Sequence, residues 1–258
     1  NRDITRLPFQ PDMVSIKRSG ATGGTFRTAT MAGDLSSFFA ATAEAANMIQ
    51  TLNTDGFEVG TAANVNTAAN TYWYFGFKEG ANFDVGGYTG NGADNTDITT
   101  PGFDPDLVWI KRSTAVSGVM RPTTLPGDLS QYFITTAQAA GRIKSFVTNG
   151  FRLGTQTEVN TNAGTYRYVA WDNTSDYVAD SPTFNMQTGY YMGNGGTAQS
   201  ITGLGFKPEM ILLKPNTTAG AGAILKTTAM PVANSAFLGS ATVDAASMIG
   251  LDANGFTV

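Results

Sequence analysis

Phe103-Asp104-Pro105-Asp106-Leu107-Val108-Trp109-Ile110-Lys111-Arg112 is spelled three times in this 258-residue chain. The earlier version is Phe9-Gln10-Pro11-Asp12-Met13-Val14-Ser15-Ile16-Lys17-Arg18, and the later one is Phe206-Lys207-Pro208-Glu209-Met210-Ile211-Leu212-Leu213-Lys214-Pro215. Each copy is an aromatic residue, a proline that ends a turn, an acidic residue, and an apolar run closed by lysine. A short apolar run bounded by proline and a charge predicts a buried strand.

Working outward, residues 1–80 align with 95–174 without a gap, and 38 of the 80 positions are identical. A third copy follows, marked by Ile201-Thr202, Lys214 and Asn254-Gly255-Phe256. The period is far above that of solenoid repeats, so each copy is long enough to bury a core of its own, which predicts tandem beads. The expected modules are 1–80, 81–180 and 181–258. The first lacks its opening strand and the third its closing strand. Two explanations stand: a segment of a longer repetitive protein, or strand exchange in which the missing strand comes from another chain.

Within a module the punctuation predicts an all-β fold, a tandem array of β-sandwich modules of jelly-roll or lectin-like type. Gly87-Tyr88-Thr89-Gly90-Asn91-Gly92 predicts an opening hairpin with a tight Asn-Gly turn. Ile143 to Gly154 predicts two strands around Asn149-Gly150, and Thr165 to Trp171 a closing strand. Residues 34–47 place Leu35, Phe38, Phe39 and several alanines at spacings that predict a strand followed by a short helical turn.

Composition narrows the chemistry. Net charge is −4, which gives no electrostatic footprint for nucleic acid, and no apolar run is long enough for a membrane helix. The chain has no cysteine and no histidine, which removes disulfides, thiol chemistry, imidazole bases and His-containing metal sites. No catalytic, cofactor or metal residues are assigned. Asp12, Asp106 and Glu209 recur once per module without a partner and read as turn-capping acids. Lys17, Lys111 and Lys214 read as snorkelling strand-end lysines, with a Lys–Asn isopeptide bond as the rival. The oxygen-rich stretch 90–97 departs from the calcium-loop pattern and reads as a hairpin turn. Trp109 aligns with Ser15 and Leu212, which marks a semi-exposed or inter-module position. Trp109, Arg112, Arg121, Tyr166 and Tyr168 form the set of binding candidates, the tyrosines as a sugar-stacking platform if alternate aromatics face out, with core packing as the other reading.

Gly87-Tyr88-Thr89-Gly90-Asn91-Gly92, Gly102-Phe103-x-Pro105-Asp106-Leu107-Val108-Trp109-Ile110-Lys111, Asn149-Gly150-Phe151-x-Leu153-Gly154 and Tyr168-Val169-Ala170-Trp171 together resemble a repeat module of bacteriophage virion proteins, tail-fibre and other appendage or decoration proteins among them. The resemblance implies a β-sandwich module on the virion surface and no enzymatic activity. It also implies partners among other virion proteins or copies of the same chain, a trimer being favoured, and a host cell-surface glycan as ligand. The variable loops 18–30, 112–124 and 215–229 are then the expected contact surfaces. A bacterial adhesin or carbohydrate-binding array is the alternative of a different class.

Overall fold

The computed structural model describes residues 1–258 except 21, 174–184, 217–220, 233, 241–242, 245–246 and 249. Its described residues are all β, with no helix, and fall into three modules of two antiparallel sheets each. Module one contains β1 (Arg2–Ile4), β2 (Met13–Arg18), β3 (Thr25–Thr28), β4 (Ser37–Phe38), β5 (Ile49–Asn53), β6 (Gly56–Val59) and β7 (Tyr72–Phe77). Module two contains β8 (Phe83–Thr89), β9 (Thr96–Ile98), β10 (Leu107–Arg112), β11 (Val119–Pro122), β12 (Leu129–Tyr132), β13 (Ala139–Ala140), β14 (Ile143–Val147), β15 (Gly150–Leu153) and β16 (Thr165–Trp171). Module three contains β17 (Ser200–Thr202), β18 (Met210–Leu213), β19 (Ile224–Thr227), β20 (Ser235–Phe237), β21 (Val243–Asp244), β22 (Gly250–Asp252) and β23 (Gly255–Thr257).

The larger sheets run β4-β3-β2-β7, β13-β12-β11-β10-β16-β8 and β18-β19-β20-β21. The smaller sheets run β1-β6-β5, β14-β15-β9 and β17-β23-β22. The apolar run thus becomes the inner strand β2 or β10, and β18 in module three. Successive side chains of a strand point to opposite faces. On β10, Val108 and Ile110 enter a core closed by the module's own small sheet, with Phe151, Leu153 and Tyr166. Leu107 and Trp109 point the other way, into a second core. With both faces covered, the strand reads as a continuous apolar run without polar alternation.

That second core overturns the expectation of independent beads. It joins Met13, Phe26 and Phe39 of module one, Trp109, Phe133 and Trp171 of module two, and Leu225 and Leu238 of module three. The modules close into a ring through one repeated hydrogen bond. Gly118 N donates to Phe39 O (3.1 Å), Ala223 N to Phe133 O (2.8 Å), and Gly24 N to Leu238 O (2.8 Å). Strand register makes 24, 118 and 223 equivalent, and likewise 39, 133 and 238. Three equivalent bonds that close head to tail define a pseudo-threefold arrangement within one polypeptide. Phe39 packs on Phe133 (4.8 Å between ring centroids) and edge-on to Trp109 (5.7 Å), so the axis is filled with aromatic rings. The cavity left there is about 10 Å³, room for a single water at most.

Two local expectations change. Residues 34–47 contain β4 and a Ser36–Ala45 bridge, with no helical turn. Ser36 Oγ is committed to the Ile49 backbone (2.9 and 3.0 Å), and Phe39 is drawn to the axis, so pairing and packing override the helical spacing. The stretch around Asn91-Gly92 is no hairpin, because β8 pairs with β16 whereas β9 pairs with β15 in the other sheet. It is a crossover held by the buried Asn160, whose Nδ2 donates to Asn91 Oδ1 (3.1 Å) and Ala93 O (2.7 Å).

The repeated Gly-Phe has a steric cause. A Cβ on Gly56, Gly150 or Gly255 would stand 1.8–1.9 Å from the carbonyl oxygen of Ile4, Ile98 or Ile201 on the neighbouring strand. Gly150→Ala is therefore expected to force β9 away from β15 and to destabilise by about 1–3 kcal/mol, read as a lowered urea midpoint. An unchanged midpoint would show that the close approach is relieved at no cost.

Candidate functional site

Four of the five nominated binding residues are internal. Trp109 is 3% exposed and Tyr166 fully buried, Tyr168 is 2% exposed and Arg121 5%. The Tyr166 hydroxyl accepts from Thr161 N (2.7 Å) and donates to Thr157 O (2.9 Å), and its ring stacks on Tyr88 at 5.0 Å. Tyr168 donates to Asp84 Oδ2 (2.6 Å). Arg121 reaches inward, donating to the carbonyls of Leu125 (3.0 Å), Gly127 (2.7 Å) and Leu129. These side chains build the module and offer no surface to a ligand, because the large sheet has no solvent face. Arg112 is half-buried over the Tyr166 ring and donates to Thr161 Oγ1 (3.3 Å).

Residues 18–30, 112–124 and 215–229 hold β3, β11, β19 and the three ring-closing N–H groups, so their central parts are turned into the ring, whereas Ala29-Thr30, Thr114-Ala115, Thr123-Thr124 and Pro215-Asn216 stay exposed. Residues 217–220 lie outside the described ones.

The repeated polar residues also resolve. Asp12 Oδ2 accepts from Glu79 N (2.8 Å), and Asp106 Oδ2 from Asn173 N (3.0 Å), the turn-capping role expected of them. Lys17 and Lys111 do not snorkel. Lys17 Nζ turns into its loop and donates to the carbonyls of Arg18 (2.9 Å), Gly20 (3.4 Å) and Thr22 (2.8 Å). Lys111 Nζ does the same with Arg112 (2.6 Å) and Thr114 (2.9 Å), and Lys214 with Ala221 O (2.5 Å). The acceptors are backbone carbonyls rather than an asparagine amide.

Burial pushes the Lys17 and Lys111 ammonium groups down from 10.5 to about 8. Between those pH values the unfolded chain holds protons the folded chain has released, so stability rises with pH across that interval. Tyr88, Tyr132 and Tyr168 move the other way: burial, joined at Tyr132 and Tyr168 by a carboxylate hydrogen bond, raises their hydroxyls, to about 12 at Tyr132. Their contribution is present below pH 10 and is lost as pH climbs through the folded value. The expected profile gains stability from pH 8 towards 10 and loses it above. Urea midpoints at half-unit steps from pH 7 to 12 check this, and a monotonic decline from pH 8 would contradict it.

A groove of about 390 Å³ opens where module one passes into module two, lined by Phe9, Phe77, Phe83, Lys78 and Asn82 among others. It is placed by the β7–β8 connection, which leaves one module's closing strand and enters the next module's opening strand. Asp12, Glu79 and Asp84 belong to the same junction. Burial raises the Glu79 carboxyl, and the Asp12 charge adds to the effect. Burial also raises Asp84, against the hydrogen bond from Tyr168. Aromatic walls with an ammonium and an amide suit an uncharged polar ligand with one apolar face, such as a sugar. Among the described residues no group of three or more Asp or Glu is disposed to hold a metal ion. Sequence reading missed this groove. Phe9 carried the repeat signal but read as punctuation, and Lys78 and Asn82 lie where the repeat fades.

A family model described as a domain of unknown function, DUF7483, matches residues 78–183. The match starts just ahead of β8 and runs past β16, so it spans module two from its opening to its closing strand. No curated protein and no solved structure matches the chain.

Proposed function

We propose that this chain is a structural unit of a bacteriophage virion appendage, a tail fibre or surface decoration, that takes part in attachment to the host surface. The observation that supports it best is the closed three-module ring, in which polar side chains are spent on bracing loops and junctions. A rigid body of this kind suits a particle exposed to the extracellular medium, and the repeat resembles modules of such proteins. Its partners are other virion proteins or copies of the same chain. The open groove beside Phe9 and Phe77 is the place for a cell-surface glycan.

The test has two arms. Antibodies raised against the chain are expected to decorate phage particles in electron micrographs, and labelling of bacterial surfaces alone would replace this reading by that of a bacterial adhesin. Labelled chain is expected to bind host envelope polysaccharide. Phe9→Ala with Lys78→Ala should weaken that binding about tenfold or more, the loss of roughly 1.4 kcal/mol, with the thermal midpoint held. Equal binding by the double variant would remove the groove from the attachment role.

A further inference from the structure

Lys17, Lys111 and Lys214 commit their ammonium groups to backbone carbonyls, but Lys144 on β14 is placed differently. Its Nζ donates to Asn95 Oδ1 (2.9 Å) and to both oxygens of Asp94 (3.1 and 3.0 Å). Asn95 Nδ2 in turn donates to Asp94 Oδ2 (3.3 Å). An amine and a side-chain amide are thus held in contact, and one carboxylate touches the nitrogens of both. Lys144 and Asn95 lie 49 positions apart in the chain, so the fold alone brings them together.

The internal repeat shows that these three groups coincide in module two. By strand register Lys144 is equivalent to Gln50 of module one. Asn95 and Asp94 are equivalent to Ala198 and Thr197 of module three. Module one therefore has no amine at this place, and module three no amide or carboxylate. Ala198 keeps the left-handed backbone of Asn95, with φ 61° against 58°, so the turn itself does not require the amide. Core packing does not require it either, because Asp94 and Asn95 are exposed.

We propose that Lys144 and Asn95 join in an amide bond, a self-made cross-link within module two. Lys144 Nζ, as the free amine, attacks Asn95 Cγ; the new C–N bond forms and the Cγ–Nδ2 bond breaks. Asp94 takes a proton from Nζ and passes it to Nδ2, which leaves as ammonia. The atoms balance without a co-reactant, and nothing is oxidised or reduced. Holding the amine against the amide replaces an encounter between separate molecules, which is what lets so weak an electrophile react. The Asp94 side chain is 51% exposed, so the ammonia escapes to solvent. In the small sheet β14-β15-β9, β14 is one edge and β9, which Asn95 directly precedes, is the other. The bond therefore straps the two edges together across β15. It also closes a long loop, which restricts the unfolded chain and favours the folded one.

Tryptic peptide mapping of the full chain after incubation at pH 9 tests this, because only the free amine attacks and alkali supplies it. The expected product is residues 79–111 joined to 143–152 with loss of one ammonia, since trypsin does not cut after an acylated Lys144. Asn-Gly sites such as Asn149-Gly150 also shed ammonia by ring closure, but that reaction leaves the two peptides separate. Lys144→Arg retains the positive charge and has no amine to acylate, so it should give no joined peptide. Asp94→Ala should slow the joining by roughly tenfold or more. The joined chain should melt several degrees above Lys144→Arg. Peptides that stay separate in the unaltered chain overturn the proposal, and joining at an undiminished rate in Asp94→Ala overturns the proton relay.

Discussion

Replacing Trp109 by alanine is expected to lower the stability of all three modules together. Trp109 is buried on the axis face of β10 and touches rings from two modules: Phe39 at 5.7 Å, and Phe133 and Trp171 at 5.1 and 4.7 Å. Truncating a buried tryptophan typically costs about 3–5 kcal/mol, through lost transfer energy and the cavity left behind. Because the core is shared, urea unfolding should remain one transition. Aromatic signals from module one, followed through Trp73, should shift as far as those from module two. A melt that splits, with module one unmoved, would restore the independent-bead description. Trp109→Phe separates packing from polarity. The indole Nε1 is buried with no hydrogen-bond partner, so removing it offsets part of the lost volume, and a cost under about 1.5 kcal/mol is expected.

The second large effect is expected at Arg121. Its guanidinium holds the loop after β11 by three carbonyls, and Arg27 does the same in module one through Met31 (3.1 Å), Gly33 (2.6 Å) and Leu35. In module three the job falls to Lys226, which donates to Pro231 (2.7 Å), Val232 (2.7 Å) and Asn234 (2.8 Å). Three donors on one cation are matched to three carbonyls that the turn leaves unpaired. Arg121→Met should cost on the order of 3 kcal/mol, the lost charge-assisted bonds being partly offset by no longer burying a charge. Arg121→Lys should recover most of that, because an ammonium performs the same clamping at the equivalent site. A lysine variant as unstable as the methionine one would show that stacking on Phe146 (6.0 Å), and not the clamp, is what matters. Urea midpoints of the three proteins decide it.

Much of the module was legible in the sequence. The apolar run of 103–112 and its copies announced the buried strand, the repeat gave the three units, and Asn149-Gly150 marked the turn between β14 and β15. Turn-capping by Asp12 and Asp106 followed from an acid placed after proline. These features are local: each depends on neighbours in sequence or on a strand one turn away. Only the tertiary structure decided that the modules share a core. A run buried against one neighbouring sheet looks the same, residue by residue, as a run buried against two modules. The identity of the second face is set by contacts such as Phe39 with Phe133, ninety-four residues apart. The same cause put Trp109, Arg121, Tyr166 and Tyr168 inside, although aromatic and basic residues near variable loops pattern like a surface.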